Sequence, residues 1–236
     1  DPQKVGPDFF KTNSSRFGGT AVGVPGTVAG LLAAHERYGK LSRQQVLAPA
    51  IRLAQSTIEI DKAFENAIKS ATRAIETLPT EEQSQYLEAL QSITIQFSYL
   101  NSGQLFPLQQ IAQDCTAGFY EGAIARLIVR ATNGHLTLED LDSYAPRWET
   151  PLQVDLGDGN TIVSMPPPSS GGVAIAQILG LLSRLDAQQY GISNEFSQLL
   201  VESMKHAFAD RAEHLADATF VEVPVQKLLD DTYLDD

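Results

Sequence analysis

The chain has 236 residues and a mass of 25.6 kDa, with 43% hydrophobic and 19% charged residues; this is an ordinary globular composition, long enough for a real core and unlike that of a disordered chain. Lys and Arg total 17 against 29 Asp and Glu, a net charge of −12, which argues against nucleic acid and against an anionic membrane surface, since both require clustered cations. The single cysteine, Cys115, excludes an internal disulfide and a cysteine-based zinc cluster, and no apolar run reaches the ~18 residues of a membrane span.

Residues 1–23 read as loop, rich in Gly, Pro, Asn and Ser. The chain opens on Asp1 rather than Met, with no signal-like segment ahead of the folded sequence, so a processed or partial chain is expected. Val28, Leu31, Leu32 and His35 recur at helical spacing and predict a helix over 26–38, with Gly39 as its stop. Ser42 followed by Gln45 is a capping-box pattern for the next helix, which Pro49 should kink or interrupt. Phe64, Ile68, Ala71 and Ile75 predict one face of a helix over 61–76. Thr80 and Gln83 form a second capping-box pattern, ahead of Tyr86, Leu87, Leu90 and Ile93.

Pro107 suits the first helical position of a segment with Leu108, Ile111 and Ala112. A further helix from about Glu121 places Ile124, Leu127, Ile128 and Ala131 inward and stops near Asn133-Gly134; Thr137 can cap a short helix over 138–144. The period then changes from helical to alternating. Leu152, Val154 and Leu156 alternate with polar residues, a turn follows at 157–160, and 161–165 is apolar, so a β-hairpin is expected. Two strands alone do not make a stable sheet. Residues 173–185 are apolar nearly all round and predict a helix buried on most sides. Ser193 can cap a long helix with Phe196, Leu199, Leu200, Ser203, Ala207 and Phe208 inward. The acidic residues beyond Pro224 are expected to fray.

The sharp catalytic and phosphate-binding motifs are missing from the sequence. Gly19, Gly23, Gly26 and Gly30 fit tight turns and close packing better than a phosphate cradle. His206, Asp210 and His214 share one helix face, but that face lies opposite the apolar one and reads as a solvated stripe rather than a metal site. Cys115, in an apolar helical stretch, reads as a small buried hydrophobe. Adjacent carboxylates such as Glu139-Asp140 and Asp230-Asp231 do not share a face and make poor acid–base pairs. The unusual feature is the run Pro166-Pro167-Pro168-Ser169-Ser170-Gly171-Gly172. Its simpler reading is a rigid strand-to-helix crossover with Ser170 as cap; the other is an anion site at a helix N-terminus.

That run, with Met165 before it, resembles the gamma-glutamyltransferase (glutathione hydrolase) family. The resemblance extends in family order through Val24-Pro25-Gly26-Thr27-Val28-Ala29-Gly30, Leu47-Ala48-Pro49-Ala50-Ile51-Arg52-Leu53-Ala54, Gly118-Phe119-Tyr120-Glu121-Gly122, residues 134–141, Ala209-Asp210-Arg211-Ala212-Glu213 and Phe220-Val221-Glu222-Val223-Pro224-Val225. Residues 58–113 follow the family pattern least.

The resemblance implies an α+β fold, the αββα sandwich of an N-terminal-nucleophile hydrolase, of which this stretch is a mostly helical part with one hairpin. It implies that residues 1–236 are a single-domain fragment, the C-terminal portion of the large subunit of a self-cleaving precursor. The nucleophile of such an enzyme is the N-terminal Thr of the small subunit, which attacks a gamma-glutamyl amide and passes the acyl group to water or an amine. The Arg that grips the substrate carboxylate belongs to a motif upstream of Asp1. No catalytic residue is therefore expected within 1–236. Ser169, Ser170, Gly171 and Gly172 are expected to line the cleft, with no metal and no cofactor. The implied partners are glutathione as substrate and the small subunit, with no nucleic acid and no membrane contact by this segment; the implied location is periplasmic or extracellular. The alternatives are a cephalosporin-acylase-like relative, or a degenerate homologue acting as a binding or structural module.

Overall fold

Helices begin where a side chain can take up the amide groups left open at a helix start. Ser42 accepts from the Gln45 amide while the Gln45 side chain accepts from the Ser42 amide, and Thr137 and Asp140 repeat the arrangement. Asp61 and Ser193 cap singly, onto Phe64 and Phe196. The computed structural model describes residues 5, 6, 8–56, 61–78, 83, 84, 86–88, 90, 91, 102–157 and 159–235. They fall into two units, Asp1–Pro146 and Arg147–Asp236.

The N-terminal unit contains α1 (Phe9–Thr12), a 3-10 turn at Gly19–Ala21, α2 (Thr27–Tyr38), α3 (Arg43–Ala54), α4 (Lys62–Glu76), α5 (Ser102–Asp114), α6 (Ala117–Tyr120), α7 (Gly122–Ala131) and α8 (Leu138–Asp142). On α4 the expected face holds, with Phe64, Ile68 and Ala71 half-buried and Ile75 buried. Gln83, Tyr86, Leu87 and Leu90 are helical, but Gln83 donates back to the carbonyls of Glu76 and Leu78 at the end of α4. The expected roles of Thr80 and Ile93 lie outside the described residues. The core gathers Ala29, Tyr120, Ala125 and Leu141, with Val24, Val28, Phe119, Ile128 and Val129 around them.

Several expectations are corrected in this unit. Of the two outcomes expected at Pro49, the interruption does not occur, and α3 continues from Arg43 to Ala54. Pro107 lies inside α5, not at its start; its ring φ is helical, and what the helix loses is one main-chain hydrogen bond. On α7 the inward face is rotated. Leu127 is 59% exposed and Ala131 is exposed, while Ala125 is fully buried. The α7 stop is as expected: Asn133 and Gly134 turn left-handed, and the Gly134 amide reaches the Val129 carbonyl. Gly39 stops α2 from ordinary extended backbone rather than a left-handed turn; its missing Cβ makes room for the His35 carbonyl and ring. Cys115 is not inside a helix. It terminates α5 at φ 59° and is partly exposed.

The C-terminal unit contains β1 (Leu152–Asp155), β2 (Thr161–Ser164), α9 (Gly171–Arg184), a 3-10 turn at Ala187–Tyr190, α10 (Asn194–His214), α11 (Val225–Leu228) and α12 (Asp231–Asp235). The strands form an antiparallel hairpin in which Leu152 faces Ser164 and Val154 faces Ile162. These four share the half-buried side, and Gln153, Asp155, Thr161 and Val163 point out. Among the described residues this is the one sheet, so the protein is mostly helical with a single hairpin.

Helix α9 packs along α10, burying Val173, Ala176, Gln177 and Leu182 on one side and Ser203 and Ala207 on the other. Helix α9 is buried or half-buried on most sides, as its composition predicts, and Gly171, Ile175, Leu179 and Ser183 form its one exposed stripe. Phe208, expected inward, is 51% exposed. The acidic C-terminal stretch does not fray over 225–235: it forms α11 and α12, and Leu228 is fully buried.

Candidate functional site

The run 166–172 leaves β2 and enters α9 within the C-terminal unit. The Pro167–Pro168 peptide is cis, and the Ser169 amide closes a turn onto the Pro166 carbonyl at 3.1 Å. Ser169 and Ser170 are half-buried, Gly171 is exposed and Gly172 is buried. A Cβ on Gly172 would stand 2.6 Å from the Met165 carbonyl oxygen and 3.0 Å from the Ser164 side chain. No side chain fits so close to a backbone oxygen, so a glycine here lets α9 start against the end of β2. The close approach that Gly172 permits is thus made by its own chain. A Cβ on Gly171 would meet only the Ser169 hydroxyl, at an ordinary contact distance of 3.8 Å.

Ser170 occupies the N-cap position of α9 but makes no side-chain cap bond. Its hydroxyl instead accepts from Arg211 Nε of α10 at 2.9 Å. A guanidinium is donor-only and stays protonated, so it cannot take a proton from Ser170. That contact orients the hydroxyl; it is not a nucleophile–base pair. The guanidinium also stands 5.8 Å from the Phe208 ring centroid, which gives the exposed Phe208 a partner on its own helix.

Asp210, beside Arg211, turns the other way. Its Oδ2 accepts from Gln177 Nε2 at 2.5 Å and its Oδ1 from the Tyr233 hydroxyl at 2.8 Å. That bond holds the Tyr233 proton and pushes the phenol above its ordinary value. The Gln177 amide group donates a second time, to the Leu228 carbonyl at 3.1 Å. Asp210 is therefore a junction of α9, α10 and α12, not part of a solvated stripe. Of its two expected companions, His206 is exposed and His214 stands 3.9 Å from the Glu213 carboxylate. Among the described residues no group of three or more His, Cys, Asp or Glu is arranged to hold a metal ion.

In the N-terminal unit, Cys115 lines a cavity of about 560 Å³ with His35, Arg43, Tyr120 and Tyr144. Arg43 is engaged there by its own fold, donating to the carbonyls of Ala112 and Gln113. Gly26 serves packing, since a Cβ would overlap the Tyr144 hydroxyl; Gly19 faces the Thr132 carbonyl in the same way. Glu139 is separate from Asp140, which is spent on the α8 cap, and Asp231 pairs with Arg184.

The loop is visible in the sequence; the Arg211 bond to Ser170 and the Gln177 bonds to Asp210 and Leu228 are not. Gln177 carried a usable signal: it is the lone polar residue in the apolar stretch Val173 to Leu182, and a buried amide requires partners. Arg211 stands in the family-like segment Ala209-Asp210-Arg211-Ala212-Glu213, but nothing local ties it to Ser170, 41 residues away.

The model of the gamma-glutamyltranspeptidase family matches residues 1–236, the whole chain. The glutathione hydrolase proenzyme of Pseudomonas aeruginosa is 36% identical over 236 residues, covering 94% of this chain and 40% of that protein. The acylase ACY 1 proenzyme of Pseudomonas sp. strain V22 is 33% identical over 223 residues, covering 93% and 40%. The solved gamma-glutamyltranspeptidase of Pseudomonas nitroreducens superposes with a TM-score of 0.83 at 32% identity, over 94% of this chain and 67% of that one. The chain thus spans about two fifths of the length of the curated relatives it matches. The fold shared with that structure is of the N-terminal-nucleophile hydrolase type. With every residue inside the family model and nine-tenths of the chain following a solved member in both sequence and fold, the chain belongs to the gamma-glutamyltranspeptidase family.

Proposed function

We propose that residues 1–236 are the C-terminal portion of the large subunit of a glutathione hydrolase, both units being parts of that one stretch. The parent enzyme cleaves gamma-glutamyl amides, glutathione among them, and passes the acyl group to water or an amine. Its nucleophile is the N-terminal Thr of the small subunit, outside this chain, and the small subunit of the same precursor is the partner. Ser169, Ser170, Gly171 and Gly172 border the cleft without supplying a reacting group.

The observation that carries this reading is the agreement, over 94% of the chain, with a glutathione hydrolase proenzyme in sequence and with a solved gamma-glutamyltranspeptidase in fold. The pairing of Ser170 with a donor-only guanidinium supports the placing of the nucleophile elsewhere. Among the described residues no helix is long and apolar enough to cross a membrane.

A second reading, a cephalosporin-acylase-like enzyme, is favoured by the 33% identity to the acylase proenzyme. Both are tested on the purified full-length protein, offered glutathione and a cephalosporin side-chain amide in separate assays. Glutamate release supports the first reading. Cleavage of the cephalosporin amide alone selects the second, and an intact precursor with neither activity selects a non-enzymatic homologue.

A further inference from the structure

The last described turn of the chain is held in a different manner from the turn before it. Helix α11 is seated by packing: Leu228 is fully buried, and its carbonyl accepts from the buried Gln177. Helix α12 is held by polar contacts at its rim. Arg184, at the end of α9, donates from Nη2 to Asp231 and from Nε to Asp235, both at 2.6 Å, and from Nη1 to its own Gly180 carbonyl. The Arg184 side chain is 25% exposed, Asp231 93% and Asp235 64%. Ion pairs as open as these are weak and screened by salt.

Further contacts add to the hold, among them Lys227 Nζ of α11 at 5.8 Å from the Tyr233 ring centroid. The Tyr233 hydroxyl donates to Asp210, and Leu234 lies where a side chain on Gly180 would begin. Beneath α12 lies a cavity of about 490 Å³, lined by Val154, Leu179, Phe196, Leu229 and Leu234 with Arg184 at its edge. One wall of that cavity is therefore a segment with no fully buried residue.

We propose that α12 is a salt-releasable clasp. It swings away from α9 as a unit, about the bend at Leu229-Asp230, while α11 stays seated, and so widens the already half-open 490 Å³ cavity. The Arg184 ion pairs are the fastening, and Tyr233 and Leu234 guide the return. Local openings of this kind are drawn from segments with few buried contacts. The proposal is independent of the catalytic reading above.

The test is hydrogen exchange by mass spectrometry on the full-length protein at about 0.05 M and 1 M potassium chloride, between which screening shortens from well over 10 Å to ~3 Å. The amides of 231–235, including the Leu234 amide bonded to Asp230, are expected to exchange roughly three- to fivefold faster at high salt. Those of Leu228 and Leu229, bonded to Pro224 and Val225, are expected to stay constant. Arg184→Gln should show the fast exchange at both salt concentrations, and Asp235→Asn, a change at an exposed carboxylate, should remove part of the salt response. Exchange that is indifferent to salt, a rise shared by all of 225–235, or a full salt response in both variants would overturn the clasp.

Discussion

In the N-terminal unit one buried polar group, besides Thr132, is the phenol of Tyr120, which donates to the Pro25 carbonyl at 2.5 Å and accepts from the Ala29 amide at 3.1 Å. In the C-terminal unit one, besides Ser203, is the amide of Gln177, which donates twice, to Asp210 and Leu228, while its Oε1 receives no hydrogen bond among the described residues. Each side chain ties together elements that are far apart in sequence, 91 residues for Tyr120 and Ala29 and 51 for Gln177 and Leu228. The phenol is fully used and sits among apolar neighbours, with Tyr144 stacked on it at 5.9 Å. The amide is half used and leans on a carboxylate. A buried polar group adds definition when satisfied and costs stability where it is not. The first unit is thus pinned by a closed contact, and the second by packing around an open one.

Leu228→Ala strikes the packing side of that contrast hardest. Truncating a fully buried leucine is expected to cost about 2–5 kcal/mol, read as a lower urea midpoint of the full-length protein, with exchange rising in 171–235 and not in 24–38. Gly172→Val follows. Its added bulk meets the Met165 carbonyl, and overpacking of this kind costs about 1–3 kcal/mol. The expected sign is poor accumulation of folded protein, with normal turnover per molecule in the fraction that folds.

Tyr120→Phe probes the other unit. It strands the Ala29 amide, at a cost of about 1–3 kcal/mol, and exchange should rise in 24–38 and not in 171–235. The same variant carries a pH signature. Burial pushes the Tyr120 phenol above its ordinary value near 10, a rise opposed by the Ala29 hydrogen bond and aided by Tyr144. A raised folded value means that this contribution is fully present below about pH 10 and is lost as pH climbs through the folded value. Thermal melts of the parent should therefore fall above pH 10, and less steeply in Tyr120→Phe. Ser42→Ala, which removes the cap of α3, should cost about 1 kcal/mol, visible only as faster exchange in the first turn of that helix.

What the sequence made legible was local. The capping boxes at Ser42 and Thr137, the inward face of α4, the hairpin and the stop at Asn133-Gly134 each depend on residues within a few positions of one another. What it concealed was decided by distant partners. Periodicity shows that α7 and α10 each have an apolar side, but the neighbours choose its centre, and they leave Leu127 and Phe208 outside. The acidic stretch after Pro224 looked unanchored because its anchors, Gln177, Arg184 and Asp210, lie on α9 and α10. The same holds at the candidate site. The proline-serine-glycine run was visible, but not that Ser170 is bonded to Arg211 or that Gly172 is filled by β2.

The proposed role of residues 166–172 is to shape the cleft of a gamma-glutamyl-transferring enzyme whose nucleophile lies elsewhere. It is tested most directly by kcat/KM for a gamma-glutamyl anilide in the mature two-subunit protein carrying Ser169→Ala or Ser170→Ala. The losses are expected to fall well short of the ~10⁴-fold that follows deletion of a catalytic group, with precursor cleavage and melting temperature close to the parent's. A loss of that full size in either variant, with cleavage and stability unchanged, would contradict it and make the serine a reacting group.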